Sequence, residues 1–242
     1  MARFRSVVLV PIVAVVAFVA APAMARAAPV ATLRGAISPH GRRSPGAPIR
    51  LALDTRLASR PPGGRFVVRR LDYLLPRNVL VNARRFPSCR VRTLQRARGL
   101  LRACPRGSRI GRGIVSGRAV DIGVTSRARV TLFNGPGGRS LTMNVAVRTP
   151  AIVNATVSAP FRAVGGARKL TIFAPPVLTT ILDSPIVTSR VHVTIGATRV
   201  VRGVRRSYLE AKRCPRSGRA KLHGAFRFAG GARASADAKV SC

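Results

Sequence analysis

Four cysteines, three histidines and six carboxylates are the side chains of this chain that could make or break bonds. The cysteines fall in two pairs. Cys89 and Cys104 bracket the basic segment RVRTLQRARGLLRA, and Cys214 and Cys242 bracket the last two strand-like segments. Structural zinc asks for closely spaced sulfur and imidazole ligands, but there is no C-x-x-C, and His40, His192 and His223 are scattered. A catalytic thiol asks for a nearby histidine and a reducing compartment. An even cysteine count in an exported chain is most simply two disulfides. Three connectivities are open; the spacing favours Cys89–Cys104 with Cys214–Cys242, each contributing about 3–4 kcal/mol in the chain-entropy model.

The carboxylates are Asp54, Asp72, Asp121, Asp183, Glu210 and Asp237. Glycoside hydrolysis needs two of them facing one bond, and no local motif brings two together. G-x-S-x-G is absent. In V-H-V-T-I, Val191, Val193 and Ile195 are the core-facing residues of a strand, which sends His192 to the surface; His223 in K-L-H-G reads the same way. The glycines of GRGIVSG (111–117) are misplaced for a phosphate loop and no helix follows, so they read as the entry to a strand. Asn154-Ala155-Thr156 matches a glycosylation sequon, a short pattern that recurs by chance. No catalytic, cofactor-binding or metal-ligating residue is assigned, and the chain reads as non-enzymatic.

Charge is the stronger signal. There are 44 basic and 6 acidic residues, a net charge of +38. Such a chain attracts polyanions, with affinity that falls as salt rises. The densest run lies between Asp72 and Asp121, where Arg84, Arg85, Arg90, Arg92, Arg96, Arg98, Arg102, Arg106, Arg109 and Arg112 are candidates for polyanion contacts. Nucleic-acid modules interleave aromatics for base stacking; Phe86 is the one aromatic between Tyr73 and Phe133. That argues against sequence-specific nucleic acid and for a non-specific anionic polymer, such as a cell-wall polymer or acidic polysaccharide. The forty arginines against four lysines also match the codon bias of a GC-rich genome. That bias accounts less readily for the scarcity of Asp and Glu.

These residues must be carried by an exported framework. MARFRSVVLVPIVAVVAFVAAPAMARA has a basic start, a short apolar core and small residues before a cleavage point, so residues 1–27 are expected to be a signal peptide. No later segment is apolar over a spanning length. Residues 28–48, rich in Pro, Gly, Ser and Arg, read as a disordered lead-in. From 49 to 242, short runs alternate apolar and polar residues between Gly, Pro and Asn signals. IRLALD, ARVTLF, LTMNVAVR and IVTSRVHVTIGA are clear cases, and NGPGG (134–138) joins two of them as a hairpin loop. About ten to twelve strands in this rhythm predict an antiparallel, Greek-key-like β-sandwich. Arg90 to Ala103 departs from it: Val91, Leu94 and Leu101 share a helical face, predicting one short helical segment between the first two cysteines, which Gly99 weakens.

F-P-S-C (86–89), C-P-R-G-S-R-I-G-R-G (104–113) and the closing Y-L-E-A-K-R-C … S-C together resemble a group of secreted proteins of high-GC Gram-positive bacteria. That group is marked by F-P-x-C, C-P-x-x-S-x-I-G-x-G and a C-terminal cysteine pair. The resemblance runs from about Tyr73 to Cys242 and implies an extracellular β-sandwich with paired disulfides; it implies no activity. The expectation is therefore a secreted or envelope-associated binding protein. The alternatives are a protein-interaction module with incidental charge and, further off, a secreted hydrolase.

Overall fold

The computed structural model describes residues 27–39, 44–149, 151–201 and 203–241. The expected signal peptide, His40 and Cys242 lie outside these, apart from Ala27. In chain order the elements are β1 (Ala28–Ser38), β2 (Arg50–Arg60), β3 (Val68–Leu74), β4 (Val79–Val81), α1 (Val91–Arg96), β5 (Arg109–Ala119), β6 (Val124–Asn134), β7 (Ser140–Val147) and β8 (Val153–Val164). There follow β9 (Ala167–Phe173), β10 (Thr180–Ile181), β11 (Ser184–Ile195), β12 (Thr198–Val201), β13 (Val204–Ser207), β14 (Leu209–Ala211), β15 (Arg219–Phe228) and β16 (Arg233–Ser241).

Twelve of these strands form one antiparallel sheet in the order β1-β2-β11-β5-β6-β7-β8-β9-β3-β15-β16, with β10 added beside β11. The sheet turns a corner within β8. Val153–Pro160 pairs with β7, and Phe161–Val164 pairs with β9. Pro160 has no N–H to donate and stands where the first ladder ends. The corner folds the sheet into two layers, one from β1 to the first part of β8 and the other from the end of β8 to β16. Their inner faces carry the alternating residues Leu51, Leu53, Val130, Leu132, Leu141, Leu222 and Phe226, all buried. Each such side chain contributes about 1.5–3 kcal/mol when fully removed from water. Tyr73 donates or accepts one buried bond with Thr55 across the layers (2.9 Å), and burial pushes its phenol up to about 12.

The fold is thus the antiparallel β architecture that the alternation predicts, curled until it is nearly closed. Its two end strands meet. A Cβ on Gly35 of β1 would stand 2.7 Å from both Leu222 Cδ2 of β15 and Val240 Cγ2 of β16, so only glycine lets β1 lie this close. The Pro/Gly/Arg-rich composition of 28–48 misleads here. Instead of an unordered lead-in, Ala28–Ser38 pairs with β2 along its whole length, from Ala28↔Arg60 to Ser38↔Arg50. Alternating Leu33 and Ile37 enter the core, and that burial outweighs the poor local propensity. The segment TRVVRGVRRSYLEA forms the β12–β13 hairpin and then β14, which pairs with β4.

Gly35→Val is expected to destabilise the protein by about 1–3 kcal/mol through overpacking at this seam. Ala36→Val, on the outward side of the same strand, should change stability by less than about 0.5 kcal/mol in denaturant titrations.

Candidate functional site

The basic segment between the first two cysteines is an excursion from the sheet. Cys89 and Cys104 are disulfide-bonded, with Cα atoms 5.2 Å apart. Cys214 is disulfide-bonded as well, while Cys242, its expected partner, lies outside the described residues. Inside the first loop α1 is short because its end is a Schellman turn: Gly99 N–H donates to Leu94 O (2.8 Å) and Arg98 N–H to Gln95 O (3.0 Å). Arg98 takes the left-handed conformation that this turn requires, at φ 47°. Only Leu94 of the predicted apolar face is buried, in a small cluster with Cys89, Cys104 and Phe133; Leu101 is exposed.

One amide fastens this excursion to the sheet. Asn134, at the end of β6, is 1% exposed, and its Nδ2 donates to the carbonyls of Ala83 (2.9 Å), Phe86 (3.0 Å) and Pro87 (3.2 Å). Its backbone accepts from Cys89 N–H and donates to Ser108 O, each at 2.8 Å. Thr142 Oγ1 donates to Cys89 O (2.7 Å). On β8, Asn154 accepts from Asn144 (2.6 Å) and donates to Arg98 O (3.1 Å), so the amide of the sequon holds the excursion in place. The motif residues serve the same attachment. Phe86 packs edge-on against Tyr208 at 5.2 Å, and Ser108 Oγ donates to Pro105 O (2.7 Å). A Cβ on Gly111 or Gly113 would run into the backbone of β11.

All ten arginines singled out in this region are exposed. They are not alone. Cross-strand register lines up a row Arg34–Asp54–His192–Ile114–Arg129–Ala146–Asn154 across the outer face of the first layer, from β1 to β8. The next row is Thr32–Arg56–Arg190–Ser116–Arg127. With strands about 4.8 Å apart, Arg56 and Arg127 stand roughly 14 Å apart along it. Arg112, one of the ten, lies on the same face opposite Thr194 and Thr131. Asn154 ends the first row under Arg98 O, so the excursion continues this face sideways over β7 and β8. Arg34, Arg56, Arg127, Arg129 and Arg190 were not singled out from the sequence. Their signal was present as outward positions of alternating strands, but it acquires meaning only when register sets them side by side.

Most of the carboxylates meet a basic side chain. Asp54 receives Arg190 through two bonds, Nε to Oδ1 (2.7 Å) and Nη2 to Oδ2 (2.9 Å), and these hold its carboxyl below the ordinary value with help from His192 and Arg56. Asp72 is buried on the outer face of β3. Burial works to raise its pKa, but hydrogen bonds from Thr171 (2.6 Å) and Arg70, with Lys169 at 3.4 Å, outweigh burial and lower it. Asp121 meets Arg65 (2.6 Å), Glu210 faces Arg85 at 4.0 Å, and Asp237 meets His223 Nδ1 at 2.8 Å. His192 is half-buried opposite Asp54, not fully at the surface. Both histidine–carboxylate neighbours lie on sheet faces. The outer face of the second layer mixes signs, with Asp72 and Asp237 among Arg70, Lys169, Arg227 and Arg233. The first layer's rows hold one carboxylate, Asp54.

Among the described residues no group of three His, Cys, Asp or Glu side chains could hold a metal ion, and no helix is long and apolar enough to cross a membrane. No protein-family model, no curated protein and no solved structure matches the chain.

Asn134→Ala takes its amide from three carbonyls, of which Ala83 O keeps Phe86 N–H, and is expected to cost about 2–4 kcal/mol. Amide hydrogen exchange should rise first in residues 83–108. The stabilisation from Asp72 is present above the ordinary carboxylate value of 3.8 and is lost as pH falls through its lowered value. Asp72→Asn should therefore lower stability near pH 7 and flatten the acid limb of a stability–pH profile.

Proposed function

We propose that this is an exported, non-enzymatic protein of the cell envelope or its surroundings that binds anionic polymers. The carrying observation is the outer face of the first layer, where register sets Arg34, Arg56, Arg127, Arg129 and Arg190 beside a single carboxylate and the clamped excursion adds its exposed arginines. The face is built on strands, so the cations keep their spacing, and a polymer lying across the strands meets several at once. Binding of this kind is driven by release of counterions and tolerates variation in the polymer. Arginine suits it, since the guanidinium stays charged and forms paired bonds to carboxylate, sulfate or phosphate. The apparent signal sequence, the disulfide chemistry and the motif resemblance support a location outside the cytoplasm.

Retention on heparin and on immobilised teichoic acid at graded salt tests the reading. The triple variant Arg56→Ala, Arg127→Ala, Arg129→Ala should lower the slope of log affinity against log salt by about 2–3, roughly one per lost contact. A control triple on the other layer, Arg227→Ala, Arg233→Ala, Lys239→Ala, should lower it by less than about 1. Equal losses in the two triples, or no retention of the parent protein at low salt, would sink the assignment.

A further inference from the structure

The interior between the two layers is not filled. At the end where β5 stops and β6 starts there is a cavity of about 110 Å³, lined by side chains of both layers and by the strap of residues 174–183. No charged side chain lines it. Its floor is made of small inward-facing residues, Gly117, Ser126 and Ala128, at positions where neighbouring turns of the same strands carry Val115 and Val130. Val115, Val153, Val157, Ile172 and Val193 also face inward, yet they are only half-buried, because they line the cavity. The strap folds back through the Thr180↔Pro185 pairing of β10 with β11 and turns Val177, Leu178 and Ile181 onto the space. Thr179, a polar residue of the lining, is turned to its own loop, its Oγ1 donating to Pro176 O (3.1 Å).

Exposed aliphatic side chains stand on the connections between the strands that line the cavity. Ile122 in the β5–β6 turn, Ile152 just before β8, and Val177 and Leu182 on the strap are 42%, 89%, 52% and 75% exposed. Isolated exposed aliphatics are ordinary, but Val177 itself lines the cavity, and Ile152 and Leu182 directly neighbour the lining residues Val153 and Ile181 in sequence. An apolar cavity of this kind is a poor site for water and takes hydrocarbon; one of about 150 Å³ accepts benzene. At about 110 Å³ the space admits the last few carbons of a chain.

We propose that this cavity is a binding site for the methyl end of an unbranched aliphatic chain, as in a fatty acid or a lipid acyl group. The polar head of the chain stays outside. The site uses the inner face of the sandwich, so it is independent of the arginine-bearing outer face.

Neutral n-alkanols from propanol to octanol separate the two. With the purified protein, methyl NMR titration should show saturable shifts in Val115, Met143, Val157 and Val193. Affinity should rise about fourfold per added methylene and level off near five or six carbons. Ser126→Leu and Ala128→Leu, which fill the floor, should each weaken hexanol binding at least tenfold while the fold is retained. Met143→Ala enlarges the cavity and should move the plateau out by two or three carbons, a gain that unfolding cannot imitate. The Arg56→Ala, Arg127→Ala, Arg129→Ala variant should bind hexanol like the parent. Decanoate below its micellar range and phosphatidylcholine vesicles then distinguish sources: binding of the monomer marks a free acid, and recruitment to vesicles marks a bilayer lipid. Absence of saturable shifts, or an unmoved plateau in Met143→Ala, would overturn the proposal whatever the outcome on heparin.

Discussion

A single antiparallel sheet can bury a face against itself only by turning a corner, and β8 is where this chain does so. Val153–Pro160 completes one ladder and Phe161–Val164 begins another, with Pro160 at the change. The consequences spread through the molecule. Two layers share one core, the end strands β1 and β16 are brought together at Gly35, and one outer surface is left for the excursion to lie on. Where the layers part, between the β5–β6 turn and the strap, the core residues are too small to close the gap.

Charge is arranged around that frame. A chain of +38 repels itself, and compaction brings its cations closer. The fold answers by placing arginines on outer faces and by spending carboxylates where they hold structure. Asp54 is bound through both oxygens by Arg190, and Asp72 carries Arg70, Lys169 and Thr171 on a buried position. On the second layer these pairs break the positive field into a mixed surface. In the two rows of the first layer one carboxylate, Asp54, stands among five arginines. The disulfide-clamped segment extends that face. Cys89–Cys104 closes the loop, while Asn134 and Asn154 determine where the closed loop sits.

Much of the fold was legible because strands bury one face. The β6–β7 hairpin around NGPGG, the core-facing Val191, Val193 and Ile195, and the short helical piece between the first cysteines all follow from local pattern. Where local pattern failed, long-range packing was the reason. Residues 28–48 are rich in Pro, Gly, Ser and Arg as a whole, yet Ala28–Ser38 gains a full ladder with β2 and places Leu33 and Ile37 in the core. Thr142 and Asn144 lie on the polar side of β7, yet both are buried, because the excursion covers that side. Leu101, expected beside Leu94, is outside because the Schellman turn at Arg98–Gly99 ends the helix first.

By itself the sequence determined the strand class, the even cysteine framework and the excess of arginine over acid. These are properties of composition and of period-two alternation, and each can be read within a short window. The tertiary structure decided what those residues face. Register, set by ladders between residues as distant in sequence as Val68 and Phe228, aligned scattered arginines into rows and brought Arg190 to Asp54. The same pairing set small residues of β5 and β6 opposite the strap and left a space behind them. Neither row nor cavity is a feature of any one segment, since both depend on distances between segments that only folding brings together.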